Sequence, residues 1–316
     1  MDTDTPTSAP APERLRASGV ALMVGSGLAS QSGAAAGALA FDVIGPVGVV
    51  AVRQWVAAVV LLAVGRPRLR SFTREQWWPV LGLAAVFAVM NVSLYSAIDR
   101  IGLGLAVTLE FLGPLAVALA GARHRATLGC AVLAAAGVVV LTRPQPATDA
   151  VGIGLALLAA LCWACYILLN RTVGRRTPGV TGSAAAGVVS GLVYVPVGIA
   201  VLLAHPPTAA ALAYAATAGV LASVVPFLAD LLALRRVPAH LFGIFMSGSP
   251  VYAAAVGAIV LGQALAVLDW LGIALVVTAN AMAVLLTSRR TRTARRDARV
   301  PCQAPGDRGP GGVDAA

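Results

Sequence analysis

The chain contains no lysine and only three histidines, and these gaps exclude several classes of protein. A P-loop for ATP hydrolysis needs a lysine after its glycine-rich turn, so the chain cannot hydrolyse ATP in that way. His124, His205 and His240 lie at the edges of apolar runs and form no H-E-x-x-H pattern, which argues against a membrane metalloenzyme. We therefore expect a protein that is not an enzyme and that needs no metal or other cofactor.

Charge is also scarce: 11% of the 316 residues are charged and 59% are hydrophobic, with a mean hydropathy of +0.85. Soluble domains carry roughly 25% charged residues, so this composition indicates an integral membrane protein. The four cysteines do not suggest a disulfide framework, because three of them lie inside apolar runs. Cys162 and Cys165 have the spacing of a zinc pair, but no second pair or nearby histidine accompanies them, which favours helix packing.

Ten apolar runs are each long enough to cross the hydrocarbon core of a bilayer as a helix. None of them alternates with period two, which excludes a β-barrel. We therefore predict an all-α integral membrane protein with ten transmembrane helices. The runs cover about residues 19–40, 46–64, 77–98, 102–121, 126–142, 151–170, 179–203, 209–234, 239–261 and 267–287.

All 23 basic residues are arginine, and their distribution predicts the orientation. With the N-terminus in the cytoplasm, 20 of the 23 fall in cytoplasmic segments, as the positive-inside rule requires. The net charge of +10 thus reflects topology and does not require nucleic acid. We expect a multi-pass protein of the cell (inner/plasma) membrane with both termini cytoplasmic. Residues 1–17 are predicted to be a disordered leader, and residues 288–316 a disordered basic tail that can rest on membrane lipid.

A weak duplication divides the helices into two halves, residues 18–145 and 146–287. Shifting the chain by 136 residues places Pro114 over Pro250, and both prolines fall in the middle of an apolar run. Paired broken helices are the positions from which transporters build a central site. Because each half has an odd number of helices, we predict two inverted five-helix repeats related by a pseudo-two-fold axis in the membrane plane.

Glu110 is the most informative residue, since an ionisable group in the middle of a spanning helix costs roughly 2.5–3.5 kcal/mol on insertion scales. Pro114, one turn later, should kink the same helix. At 1.5 Å per residue, Arg53 and Glu110 both lie about 10–12 Å below the outer membrane edge, so they can share one polar layer. A buried pair without any transport role is the alternative.

Other polar side chains fall at a similar or slightly greater depth, which predicts a cavity lined by both halves. Hydrogen bonding between helices is the alternative role for each of them. Asp230 lies nearer the cytoplasmic edge, where it is either an inner-gate carboxylate or a partner of Arg235 and Arg236. The candidate substrate-binding or coupling residues are Arg53, Asn91, Tyr95, Glu110, Trp163, Tyr166, Asp230 and Ser249, and the helix-break residues are Pro114 and Pro250.

A guanidinium and a carboxylate in one cavity suit both proton coupling and the recognition of a zwitterion. The carboxylate can gain or lose a proton as water and substrate enter, and an amino acid can meet Arg53 with its carboxylate and Glu110 with its ammonium. We predict proton-driven export of a small amino acid by alternating access. The expected partners are a small polar metabolite or amino acid, protons and membrane lipid, with a homodimer left open. A channel or a scaffold without transport is the alternative.

Four segments resemble the EamA-type branch of the drug/metabolite transporter superfamily, especially its threonine/homoserine exporter-like members. The most specific is Leu109-Glu-Phe-Leu-Gly-Pro-Leu-Ala-Val-Ala118, and the others begin at Asn91, Cys162 and Phe242. The resemblance implies ten helices in two inverted repeats, an inner-membrane location and efflux of small amino acids. It also implies that the candidate site residues above, except Ser249, are of the same types as the residues at the matching positions of those exporters. A multidrug or other small-metabolite exporter of the same fold is the alternative.

Two positions depart from the family pattern. Ser249 and Gln263 stand where these exporters usually carry acidic residues. If the missing acids help to select threonine or homoserine, the substrate of this chain differs.

Overall fold

A computed structural model describes residues 12–65, 72–120, 125–142, 149–177, 181–234 and 239–297. These residues form helices joined by short connections, and no strand occurs among them. The helices are α1 Pro12–Ala38, α2 Phe41–Gly65, α3 Arg74–Ile101, α4 Leu103–Glu110, α5 Leu112–Ala120, α6 Arg125–Thr142, α7 Ala150–Arg176, α8 Thr181–Ala204, α9 Ala209–Gly219, α10 Val225–Leu234, α11 Ala239–Met246, α12 Ser249–Val260 and α13 Val267–Asp297.

Within the described residues, eight segments are long and apolar enough to cross a membrane. Three of them join two helices: Leu103–Ala120 joins α4 to α5, Leu241–Val260 joins α11 to α12, and Ala209–Asp230 joins α9 to α10. The all-helical membrane fold predicted from composition is therefore confirmed. The other two predicted spans correspond to α1, which has a more polar sequence, and to α6, whose apolar stretch Leu128–Thr142 is shorter. A total of ten spans stays a prediction.

Each of the two predicted broken helices is interrupted just before its proline. Phe111 separates α4 from α5, three residues before Pro114, and a turn at residues 247–248 separates α11 from α12 before Pro250. A proline has no N–H for the carbonyl four residues earlier, and its ring crowds that carbonyl. The interruption places the carboxyl end of α4, at Glu110, inside the bundle.

A third interruption lies between α9 and α10, where Val220–Val224 form a π-helical turn. The Val225 N–H donates to the Val220 carbonyl, one residue further back than in an α-helix. Pro226 follows directly. The apolar run at 209–234 predicts one continuous helix, and the structure instead has two helices joined by this turn.

Helices of the first half pack mainly against helices of the second half. α2 packs on α8, α6 on α13 and α4 on α12, while α3 packs on α7 and α1 on α9 and α10. Small residues allow close approach: a Cβ atom added to Gly104 of α4 would lie 3.0 Å from the Ala254 Cα of α12. Apolar side chains such as Leu203 and Ile259 face outwards, with 78% and 82% of their surface exposed.

Helix extends into both segments that the sequence predicts to be disordered, over residues 12–17 and 288–297. α1 begins at Pro12 and α13 continues to Asp297. Arginine and alanine are strong helix formers, and arginines near a helix C-terminus complement its dipole. The rest of the leader and tail, and the loop arginines at 66–70, 123 and 235–236, lie outside the described residues.

Candidate functional site

A cavity in the centre of the bundle consists of a small chamber and a larger vestibule. The chamber has a volume of about 170 Å³ and the vestibule about 800 Å³. Arg53, Glu110, Trp163 and Asp230 belong to the walls of both, so the two form one continuous space. Helices of both halves of the chain contribute to these walls.

All eight candidate binding or coupling residues line this cavity. Besides the four shared residues, Tyr95 and Ser249 line the chamber, and Asn91 and Tyr166 line the vestibule. Of the two helix-break prolines, Pro114 lines the vestibule, whereas Pro250 is buried beside Ser249 in the first turn of α12.

Arg53 on α2 is buried, and three groups fix its guanidinium. Its Nη1 donates to Asn91 Oδ1, its Nη2 donates to the Ala222 carbonyl at 3.3 Å, and its Cζ lies 5.1 Å from the centre of the Tyr95 ring. Asn91 is itself held, since its Nδ2 donates to the Phe87 carbonyl at 2.7 Å. All of these partners are neutral, and in the part of the chain that the structure describes no carboxylate oxygen lies within 4.0 Å of a guanidinium nitrogen of Arg53.

Glu110 ends α4 and is buried, with 5% of its surface exposed. In the described part of the chain its carboxylate has no hydrogen-bond donor and no cation within 4.0 Å. Among these residues, Arg53 and Glu110 therefore form no direct ion pair. Asn91 and the Ala222 carbonyl engage the guanidinium instead, and the two charges share the cavity without touching.

Asp230 on α10 faces the cavity and is tied to α1. Its Oδ1 accepts a hydrogen bond of 2.6 Å from the Ser26 hydroxyl, and it lines both the chamber and the vestibule. The alternative partners, Arg235 and Arg236, lie outside the described residues. The site thus holds two carboxylates, one with a serine partner and one without.

Aromatic rings form part of the cavity wall. Phe111, in the break after Glu110, meets the Trp163 ring edge to face with 4.7 Å between ring centres. Tyr166, one turn further along α7, lies 6.0 Å from the Phe87 ring. The tight approach of α5 to α7 at Gly113 brings these rings together, because a Cβ atom on Gly113 would lie 3.2 Å from Trp163 Cβ.

α4 and α12 pack against each other, and we refer to the contact between the start of α4 and the end of α12 as the closure. The Gln263 side-chain carbonyl accepts from the Leu103 N–H at 3.0 Å, which joins the start of α4 to the segment after α12. Gly102, which precedes α4, has a φ of +82° that favours glycine. Gln263, noted in the sequence for its missing charge, therefore has a structural contact at this closure.

Sequence reasoning missed several residues of the site. Ser26 and Ser30 lie one turn apart on α1, and both line the chamber. Two hydroxyls at this spacing in an Ala- and Gly-rich run are a detectable signal. The acceptor at Ala222 is a backbone carbonyl, which the residue type does not reveal. Pro226, four residues later, is the only residue in the sequence that indicates it.

Comparisons with known proteins were consistent with one another. The model of the EamA-like transporter family matches residues 150–285. The threonine/homoserine exporter RhtA of Salmonella typhimurium (strain SL1344) is 33% identical over 263 residues, which cover 82% of this chain and 88% of that protein. The RhtA of Escherichia coli (strain K12) is 30% identical over the same shares of the two chains. One protein of known crystal structure superposes with a TM-score of 0.56 at 19% identity, over 88% of this chain and 98% of that one.

Proposed function

This chain belongs to the EamA-like transporter family, and we propose that it exports a small amino acid of the threonine/homoserine type by alternating access. It is a multi-pass protein of the inner membrane. The relatives named as threonine/homoserine exporters support this substrate class. Because the chain has Ser249 and Gln263 at two positions where such exporters usually carry acids, the preferred amino acid can differ from theirs.

The observation that carries the proposal is the presence of Arg53 and Glu110, both buried, in one cavity without a mutual ion pair. A zwitterion would compensate both charges: its carboxylate would take charge-assisted hydrogen bonds from the guanidinium, and its ammonium would donate to Glu110. The unpartnered Tyr95 hydroxyl and the hydroxyls of Ser30 and Ser249 face the same region and suit a polar side chain.

Alternating access is supported by the way the two halves pack. Equivalent helices of the two halves pack against each other, α2 on α8, α4 on α12 and α6 on α13, and each of these contacts would map onto itself under a two-fold axis that relates the halves. The same axis would superpose the contact between α3 and α7 on the contact of α1 with α9 and α10. Both contacts are extensive. We therefore propose ten spans in two inverted repeats, residues 18–145 and 146–287.

The vestibule extends to Asn170 and Ser183, beside the connection at 178–180 that the arginine pattern assigns to the cytoplasm. This placement supports an inward-facing state with both termini in the cytoplasm. Glu110 and Asp230 are the proposed proton-coupling groups, because each faces the cavity and each can carry a proton when no substrate ammonium is bound. Exposed apolar side chains around the bundle suit contact with lipid, and a homodimer would have to use part of that surface.

Counterflow in proteoliposomes tests the proposal. Liposomes loaded with unlabelled threonine or homoserine should accumulate the labelled amino acid, and Arg53→Gln or Glu110→Gln should reduce the initial rate at least tenfold. Arg100→Gln and Asp149→Asn are matched controls, because they remove the same charges from a pair outside the cavity. Wild-type counterflow by both cavity variants at normal protein levels would remove these residues from the mechanism.

The same preparation separates the alternatives. An imposed pH gradient should drive uphill movement of the amino acid if protons are coupled, and it should have no effect if they are not. Counterflow of drugs or other metabolites, without that of amino acids, would identify an exporter of the same fold with another substrate. A channel would give flux without counterflow, and a scaffold would give neither.

A further inference from the structure

We propose that Pro226 is a positioning residue for Arg53. Because it has no backbone N–H, it leaves the Ala222 carbonyl to accept from the guanidinium, and this contact holds Arg53 in the orientation that binds the substrate carboxylate. The inference rests on the proposed function for the role of Arg53. Thermal melting tests the contact between Arg53 and the α9–α10 segment independently of that role.

The first observation is the hydrogen-bond pattern around the π-helical turn. In an uninterrupted α-helix, the N–H of residue 226 would donate to the carbonyl of residue 222, and a proline cannot do this. The turn also shifts the Val225 N–H from the Leu221 carbonyl, its acceptor in an α-helix, to the Val220 carbonyl. The Ala222 carbonyl instead accepts from Arg53 Nη2 at 3.3 Å. A break in one helix thereby supplies an acceptor to a side chain of another.

The second observation is the arrangement of the other partners of Arg53. Asn91 accepts from the second terminal nitrogen, and the Tyr95 ring lies under the guanidinium plane. Two acceptors on different nitrogens together with a ring face fix both the position and the tilt of a planar fork. Within the described residues the Arg53 Nε has no partner. The charge is thus oriented by neutral groups and is not neutralised by them.

The third observation is the packing that keeps the Ala222 carbonyl in place. A Cβ atom on Gly33 of α1 would lie 2.9 Å from Ala222 Cβ, and one on Gly219 would lie 2.7 Å from Val56 Cβ on α2. The turn is therefore in backbone contact with α1 on one side and α2 on the other. Because α2 also carries Arg53, the donor and the acceptor are held by one close interface.

A double-mutant cycle measured by thermal melting of the purified protein tests the contact. Pro226→Ala and Pro226→Val both supply an N–H, and valine keeps most of the apolar bulk of the ring. In the wild-type background, Arg53→Gln should lower the melting temperature by about 2–4 °C through loss of a hydrogen bond to the carbonyl. In a protein that already carries Pro226→Ala or Pro226→Val, the added N–H donates to the Ala222 carbonyl, so Arg53→Gln should lower the melting temperature clearly less. Additive shifts would overturn the proposal.

Amino-acid counterflow tests the positioning role. Pro226→Ala and Pro226→Val should each raise the half-saturation concentration about fivefold or more while changing the maximal rate less than twofold, because a displaced guanidinium weakens binding rather than folding. Pro196→Ala is the control, since Pro196 lies inside α8 on its exposed side. An unchanged half-saturation concentration, or an effect of alanine without one of valine, would overturn the proposal. If the wild type shows no amino-acid counterflow, the proposed function fails, whereas the melting cycle still decides whether Pro226 and Arg53 are linked.

Discussion

Gly113→Ala should separate α5 from α7 and displace the aromatic rings beside Glu110. Gly113 lies in α5, where it packs on the backbone of α7. An added Cβ atom would overlap the Ala160 carbonyl oxygen and would lie 3.0 Å from the Ala160 carbonyl carbon, whereas ordinary contact begins at 3.4 Å. The obstruction is backbone, so no side-chain rotation relieves it. α5 and α7 must separate, and Trp163 on α7 must move away from Phe111.

The expected cost follows from the size of this overlap. A separation of roughly 1 Å between two packed helices loses contacts along their interface, and overpacking of this kind costs about 1–3 kcal/mol. Replacing glycine by alanine in a helix recovers at most about 1 kcal/mol through helix propensity. We therefore expect a net destabilisation of about 1–2 kcal/mol and a loss of most counterflow activity, because the ring wall beside Glu110 is displaced.

Gly154→Ala on α7 is the matched control, since an added Cβ atom there has no atom within 4 Å. It should leave both the melting temperature and counterflow unchanged or slightly improved. Thermal melting in detergent and counterflow in proteoliposomes measure the two effects on the same preparations. If Gly113→Ala melts and transports like the control, the close contact between α5 and α7 does not hold the site together.

Three further predictions concern the closure, the chamber and the outer surface. Gln263→Ala removes the acceptor of the Leu103 N–H, so the cavity should open outwards more often. In a variant without the four native cysteines, external maleimide labelling of Ser249→Cys should then rise at least threefold. Unchanged labelling would count against this closure. Tyr95→Phe should leave the melting temperature within about 1 °C, because the hydroxyl has no hydrogen-bond partner among the described residues, while raising the half-saturation concentration about threefold. A clear drop in melting temperature would mean that the hydroxyl is structural. Hydrogen bonds from the Gly152 N–H and from Arg100 lower the pKa of Asp149 below its ordinary 3.8. The stability that the Asp149 carboxylate adds is therefore present above pH 3.8 and is lost as the pH falls through the lowered pKa. The difference in melting temperature between the wild type and Asp149→Asn should decrease in the same pH range, and a difference independent of pH would contradict this.

The lining of the cavity could be predicted from the sequence because polar side chains are rare in this chain. Arg53, Glu110 and Asp230 stand out against apolar neighbours, and residue counting alone puts the first two at one depth. The positions of the helices along the chain followed from the apolar runs, although α1 begins earlier, α13 ends later and the run at 209–234 is interrupted, and the breaks before Pro114 and Pro250 followed from the missing proline N–H. These signals depend on single residues or short spacings and need no knowledge of tertiary contacts.

The partners of Arg53 could not be predicted in this way. Depth places Arg53 and Glu110 in the same layer, but it does not give the direction of either side chain around its helix axis. Asn91 and the Ala222 carbonyl reach the guanidinium first, and a backbone carbonyl is present at every residue. Two charges in one layer therefore need not form a direct ion pair, and here neutral acceptors hold the guanidinium.

This difference bears on how a zwitterion would be bound. A buried ion pair between Arg53 and Glu110 would have to be broken before either residue could bind a substrate, and removing one partner from such a pair typically costs about 3–5 kcal/mol. With the guanidinium held by neutral acceptors and the carboxylate without a donor, no such pair has to be broken. Each buried charge then needs a counter-charge that the neighbouring side chains do not supply. Under the proposed function, the two ends of one amino acid satisfy both needs, and a proton on the carboxylate satisfies one of them when the substrate leaves.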